Sequence, residues 1–331
     1  MKIIKYTIEP TSPWVYSLRS DTLHGLIACQ VREWEGEQAC KNLLASFLDN
    51  EPLFTCSSAF SKGFLPAPVL APISRPVFKK NFEGKELFGN KNTKLVDWLQ
   101  EYKIFKKKTL IPYAVWQKQK NALSALKLFS AYMGDKENFI KNKKSDKEKF
   151  SWEIPNQISG TELHLTINRN ENKHLDGSYF SSSVNFANHE LDIYVKASDH
   201  ALFEKYFGIL GELGFGADST LGKGRFKIKN KEDVSDVFHE KGEYGLNLSV
   251  LSAENLAGIE GYYRTFTKKG KTWVAKSRHS PFKKPFIALE EGAVVKNIPS
   301  SCIIKNINAD DDIIQMCGAL LMPCTLPGET Q

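Results

Sequence analysis

Residues 211–228 read GELGFGADSTLGKGRFKI, and no other stretch limits the fold as tightly. Residues 200–214, HALFEKYFGILGELG, have the apolar spacing of a helix, and GRFKIK beyond the glycines alternates like a strand. The chain must therefore leave a helix, pass Gly214, Gly216, Gly222 and Gly224, and enter a sheet within a few residues. A left-handed helix cap and one glycine turn account for two of those glycines but hardly for four. The remaining reason for so bare a backbone is close approach by a ligand such as a chain of phosphates, with Lys223 and Arg225 supplying positive charge.

Nucleotide loops of the common kinds do not fit. A Walker loop needs Ser or Thr after its Gly-Lys to bind magnesium, and here Gly224 follows Lys223, with one residue too many between Gly216 and Gly222. A dinucleotide fingerprint starts at Gly214 and Gly216 but has Ser219 in place of its third glycine, and it follows a helix instead of opening one. The pattern implies no cofactor.

The rest of the chain alternates strands and helices. Residues 2–10 (KIIKYTIEP) read as a strand, and Ser20 and Asp21 read as capping residues of a helix through Leu23, Leu26, Ile27 and Val31. A second helix (37–50) and a strand (53–60) follow; GTELHLTINR and HELDIYVKA are two more extended segments before the helix and strand that flank the glycines. Strand, helix, strand, then strand, helix, strand is the ferredoxin-like order used by RNA-recognition modules. The expected architecture is α+β, with two ferredoxin-like (RRM-like) domains. The first spans residues 1–233 with a long basic insertion at about 62–155; the second, 234–331, is degenerate and strand-rich.

Charge placement sharpens this. The chain carries a net +7, yet residues 75–150 hold 19 Lys or Arg against 8 Asp or Glu. Such a block suits RNA or an acidic protein surface, or else a solvated and partly mobile insertion, the reading favoured for KNKKSDKEKF at 141–150. No apolar run reaches the length of a membrane span and the N-terminus has no signal-peptide core, so a cytoplasmic protein with no membrane partner is expected. Cys29, Cys40, Cys56, Cys302, Cys317 and Cys324 form no metal or redox spacing and read as small buried hydrophobes.

GFGADSTLGKGRF at the end of a ferredoxin-like unit resembles the signature loop of the RAMP proteins of CRISPR systems. SPWVYSLRSDTLHG and SPFKKPFIALEEGAVV resemble, more narrowly, the RAMP subunit of the type III-A (Csm) complex that holds the 5′ tag of the crRNA. That resemblance implies a non-catalytic RNA-binding subunit that contacts the large polymerase-type subunit and the backbone RAMP subunit. It implies an RNA-binding set of Gly214, Gly216, Ser219, Thr220, Gly222, Lys223, Gly224 and Arg225, with Ser20 and Asp21 beside the loop and Arg169 at a strand end. Lys283, Lys284, Arg75, Lys79 and Lys80 join the set by their charge and placement. His24, Gly292-Ala293 and Glu171 depart from the family pattern.

Other candidates stand beside this one. His24 suits general acid or base work in a CRISPR RNA processing endoribonuclease, with Lys223 or Tyr6 as partner, although a histidine one turn into an apolar helix is more often a packing residue. Asp310, Asp311 and Asp312 suggest magnesium, but adjacent carboxylates on a hairpin diverge, and a solvated turn is the better reading. Phe64, Phe78, Phe82, Tyr179, Phe180 and Phe215 offer stacking surfaces for bases. The proline-rich stretch at 63–76, with Leu65 and Val69, reads as a rigid extended wedge, since Pro66, Pro68, Pro72 and Pro76 forbid a helix through it.

Overall fold

The computed structural model describes residues 1–143, 148–155, 157–168, 173–272, 281–299, 302–308 and 313–328. In chain order the elements are β1 (Lys2–Pro10), α1 (Ser20–Glu35), α2 (Glu37–Leu48), β2 (Phe54–Cys56), β3 (Phe60–Ser61), β4 (Phe64–Pro66), α3 (Arg75–Phe82), α4 (Leu95–Lys106), β5 (Leu110–Pro112), α5 (Tyr113–Gln119) and α6 (Ala125–Asn142). Then come β6 (Gln157–Asn168), β7 (Lys173–Ala187), β8 (Leu191–Ala197), α7 (His200–Leu213), β9 (Phe226–Asp233), α8 (Ser235–His239), β10 (Tyr244–Asn247), β11 (Glu260–Tyr262) and β12 (Thr265–Lys268). The last are β13 (Phe286–Leu289), β14 (Val294–Lys296), β15 (Ile303–Ile304), β16 (Gln315–Met316) and β17 (Leu321–Cys324). They divide into two units: Met1–Lys62 with Pro155–Asp233, and Gly63–Ile154 with Val234–Gln331.

Unit 1 is built on an antiparallel sheet in the order β2-β8-β1-β9, with β3 also paired to β8. With α1 and α2 between β1 and β2, and α7 between β8 and β9, this is the antiparallel β-α-β-β-α-β arrangement. Apolar spacing makes the helices face the sheet: α1 buries Leu23, Ile27 and Val31, and α7 buries Phe203, Tyr206, Phe207 and Leu210. Asp199 caps α7 by accepting the amides of Ala201 and Leu202 at 2.8 and 3.4 Å. Capping of α1 differs from expectation. Arg19 is its N-cap, and Ser20 and Asp21 lie inside the first turn, where the Ser20 amide donates to Ser58 Oγ at 3.0 Å.

The long arm β6-β7 also belongs to unit 1. The alternation in the sequence announces only its first strand. The second, KHLDGSYFSSSVNFA, is serine-rich and owes its extended form to its partner.

Unit 2 has a four-stranded antiparallel sheet in the order β11-β14-β10-β17. Numbered within the unit's C-terminal segment, this is second, third, first, fourth, the same order as in unit 1. Among the described residues no helix separates these strands, so the order survives without the alternation.

The basic insertion is not a loose loop. It folds into α3 to α6 around Phe129, which is fully buried, with the rings of Phe78, Phe82, Trp98, Tyr102, Phe105 and Tyr132 at centroid distances from 5.1 to 6.5 Å. Trp152, also fully buried, donates its indole N–H to Asp135 Oδ2 at 2.8 Å. The insertion belongs with the C-terminal segment: Leu123 N donates to Thr325 O, and Thr325 N to Lys120 O, each at 2.8 Å.

The proline stretch differs from a free wedge. β4 pairs with β5, Leu65 is fully buried, and Val69 N donates to Gly292 O at 2.8 Å. Gly292, at φ +93°, is required there because a Cβ would lie 2.4 Å from Ala67 O. Pro76 occupies the first turn of α3, a position proline tolerates. No helix among the described residues is long and apolar enough to cross a membrane.

Candidate nucleic-acid interface

The glycine segment forms a narrow-necked loop between α7 and β9. At the neck, α7 ends on Gly214 (φ 88°), and the Cβ of any other residue would lie 2.0 Å from Lys223 O. Gly224 stands back to back with Phe215, whose carbonyl oxygen would be 2.2 Å from such an atom, and Phe215 N donates to Gly224 O at 3.2 Å. The neck is sewn to the chain leaving β1. Gly224 N donates to Pro13 O at 2.7 Å, Arg225 N to Ser12 Oγ at 2.8 Å, and Thr11 N to Arg225 O at 2.9 Å. Trp14 and Phe215, both buried, pack below with ring centroids 6.2 Å apart. Two of the four glycines thus serve closure of the loop.

The arc beyond the neck is open. At Gly216 (φ +79°) a Cβ would meet nothing within 4 Å, and at Gly222 (φ +87°) it would meet only the Arg225 guanidinium, 3.8 Å away. Asp218 takes the left-handed conformation at φ 61°, and its carbonyl accepts the amides of Leu221 and Lys223 at 2.9 and 3.2 Å. Ser219–Leu221 is a single 3-10 turn, with Thr220 exposed and Ser219 half-buried. Among the described residues the amides of Gly216 and Ala217 donate to no group of the chain. These two N–H groups are exposed and unfilled, and the Arg225 guanidinium lies beside Gly222 in the same loop.

Lys223 is not the free cation its sequence position suggests. It is 7% exposed, and Nζ donates to Glu162 Oε2 at 2.5 Å and to Asp218 Oδ2 at 3.0 Å. A buried ammonium must be paired, and the arm strand β6 supplies the second carboxylate. Arg225 is exposed and forms no ion pair among the described residues, so it alone carries available positive charge at the loop.

The other expected residues fall in several places. Ser20 and Asp21 are 0% and 4% exposed, so neither reaches a ligand at the surface. Arg169, Glu171, Asp310, Asp311 and Asp312 lie outside the described residues. Arg75, Lys79 and Lys80 are exposed on α3, with Lys79 paired to Glu83 at 3.4 Å. Lys284 is exposed, and Lys283 is half-buried with Nζ on Gln315 Oε1 at 2.7 Å. Phe78, Phe82 and Phe215 are core residues instead of stacking platforms; Phe64 is half-buried. Glu162, Asp218 and Ser12 organise the loop without standing out as site residues in the sequence. Asp218 lies in plain view within the motif, whereas Glu162 carries no local signal.

His24 has no access to a substrate. It is fully buried, stacked on Phe54 at 5.4 Å and edge-on to Phe47 at 5.5 Å, with Nε2 3.6 Å from Cys56 Sγ. Burial pushes its pKa down to about 4, against a smaller opposing pull from Asp21. Tyr6, its suggested partner, instead places its hydroxyl 3.0 Å from both Glu204 Oε1 and His200 Nδ1. No group of three His, Cys, Asp or Glu among the described residues is arranged to hold a metal.

No protein-family model and no curated protein matches the sequence. The structure does match solved ones along its whole length. A chain of the Csm1-Csm4 cassette in complex with cA4 is similar at 16% identity and a TM-score of 0.56, covering 99% of each chain. The cassette in complex with pppApA gives 14% identity and a TM-score of 0.55, covering 99% of this chain and 100% of that one. The Csm3-Csm4 subcomplex of the type III-A CRISPR-Cas interference complex gives 14% and 0.52, covering 98% and 99%. The component common to these assemblies is Csm4, and this chain shares its mixed helix-and-strand fold.

Proposed function

We propose that this chain is the Csm4-type subunit of a type III-A CRISPR interference complex. In this reading it is a non-catalytic RNA-binding protein that holds the 5′ repeat-derived tag of the crRNA and bridges the large subunit to the first backbone subunit. The observation that carries the reading is the end-to-end fold correspondence with a protein solved in company with both Csm1 and Csm3. The open arc at Gly216 and Ala217, in the loop that carries Arg225 beside Gly222, supports this reading because unfilled N–H groups and a guanidinium are what a phosphate needs. The shared strand order supports reading the second sheet as a ferredoxin-like unit that has lost its helices.

Affinity purification of the tagged chain, co-expressed with the large and backbone subunits of a type III-A complex and with a crRNA, tests the proposal. Both subunits and RNA with an intact repeat-derived 5′ end should be retained. Retention of neither subunit overturns the bridging role, and retention of both without RNA overturns the tag-holding role. The processing-nuclease alternative has no geometric support at His24. Metal-independent precursor cleavage by the purified chain, lost in His24→Ala, would restore it.

A further inference from the structure

We infer that unit 2 carries a second contact for single-stranded RNA, on the outward face of a β-ribbon made by residues 263–272 and 281–289. The ribbon is β12 paired with β13 and continued by Lys283 N to Gly270 O at 2.9 Å and Thr272 N to Pro281 O at 2.7 Å. Its two faces differ. Phe286 and Ala288 are buried against Val250, Ile307 and Cys317, with Phe266 packed beside them. Thr265, Thr267, Lys269 and Lys271 are exposed at every second position, as strand geometry requires of the opposite face. Across from them Ile287 is 58% exposed and Phe282 61%.

Charge selects the ligand. Residues 263–272 and 281–289 contain Arg264, Lys268, Lys269, Lys271, Lys283 and Lys284, and no Asp or Glu. On the outward face Lys269 and Lys271 form no ion pair among the described residues, and the Lys271 ammonium stands 5.2 Å from the Phe282 ring centroid. Solvation alone would explain the lysines but not a large ring and an isoleucine as exposed as Phe282 and Ile287 on the same ribbon. Single-stranded RNA uses both: ammonium groups meet phosphates, and the ring offers a face on which a base of any kind stacks. The ligand class follows from this ribbon's own residues and takes nothing from the glycine loop.

Fluorescence anisotropy on the full chain tests it, with an oligouridine of about ten nucleotides as a probe that carries no repeat-derived sequence. The double variant Lys269→Ala/Lys271→Ala should lose about tenfold in affinity, with the log-log salt slope shallower by about 0.7 for each phosphate contact removed. Phe282→Ala should weaken binding about fivefold or more without changing the slope, and Gly216→Val should retain the ribbon's contribution. Wild-type affinity in both ribbon variants overturns the inference and leaves the loop reading untouched. Displacement of the probe by polyglutamate, together with no effect of Phe282→Ala, also overturns it and assigns the ribbon to an acidic protein.

Discussion

Asp218 Oδ2 lies 3.0 Å from Lys223 Nζ, so the glycine loop neutralises one of its own two cations, while Arg225 is exposed and makes no ion pair among the described residues. This internal pairing separates two residues that sequence alone treats as equivalents.

Their variants should therefore behave differently. Arg225→Ala should reduce affinity for tag RNA and flatten the salt slope by about 0.7, one single-strand phosphate contact. Lys223→Ala should leave that slope unchanged and instead destabilise unit 1 by about 1–3 kcal/mol, because it strands Asp218 and the partly exposed Glu162. Salt titrations of binding, paired with urea melts, read both effects. An equal loss of slope in the two variants would contradict the assignment.

The glycines should divide in the same manner. Gly214→Ala and Gly224→Ala force backbone apart at the neck and should each cost several kcal/mol or prevent folding. Gly216→Ala meets no neighbour and should cost only about 1–2 kcal/mol for its positive φ, with RNA affinity largely kept. Gly216→Val should stay folded yet bind RNA more weakly, since its branches occupy the open arc. Thermal melts of the four variants rank them.

The third expectation concerns pH. His24 titrates at about 4 when folded and 6.5 when unfolded, so between those values the unfolded chain holds the extra proton. The stabilising contribution of the neutral buried ring is complete above about pH 6.5 and is lost as pH falls toward 4, amounting to roughly 3 kcal/mol in all. His24→Phe removes this dependence while keeping an aromatic ring against Phe54 and Phe47. Urea denaturation at pH 7 and pH 5 should show the wild type losing stability relative to the variant at the lower pH. Parallel losses would place the titrating group elsewhere.

What is legible in the sequence is local. Leu23, Ile27 and Val31 on α1, and Phe203, Phe207 and Leu210 on α7, announce their helices through spacing, and the glycine loop announces itself through density. The division of labour within that loop is not legible, since it depends on Gly214 meeting Lys223 and on Lys223 meeting Glu162, which lies 61 residues upstream. The aromatic core around Phe129 escapes sequence reading for a related reason. Its rings come from three separate helices, and lysines between them dominate the composition. Ser20 and Asp21 look exposed in sequence because polar residues at a helix start usually are; here the start is buried against Ser58.

The insertion's attachment to the C-terminal segment also sets an order of assembly during translation. A ribosome delivers residues 63–154 early, but the hydrogen-bond partners of Leu123 and Val69 are Thr325 and Gly292, which emerge about two hundred residues later. Unit 1 has all its strands once β9 has cleared the exit tunnel, while unit 2 still lacks its sheet. At roughly 5–20 residues per second, the insertion's helices wait many seconds for the strands that hold them. Their own aromatic core is what gives the nascent chain something to hold in that interval, and the segments around Gly292 and Thr325 are the ones that close unit 2.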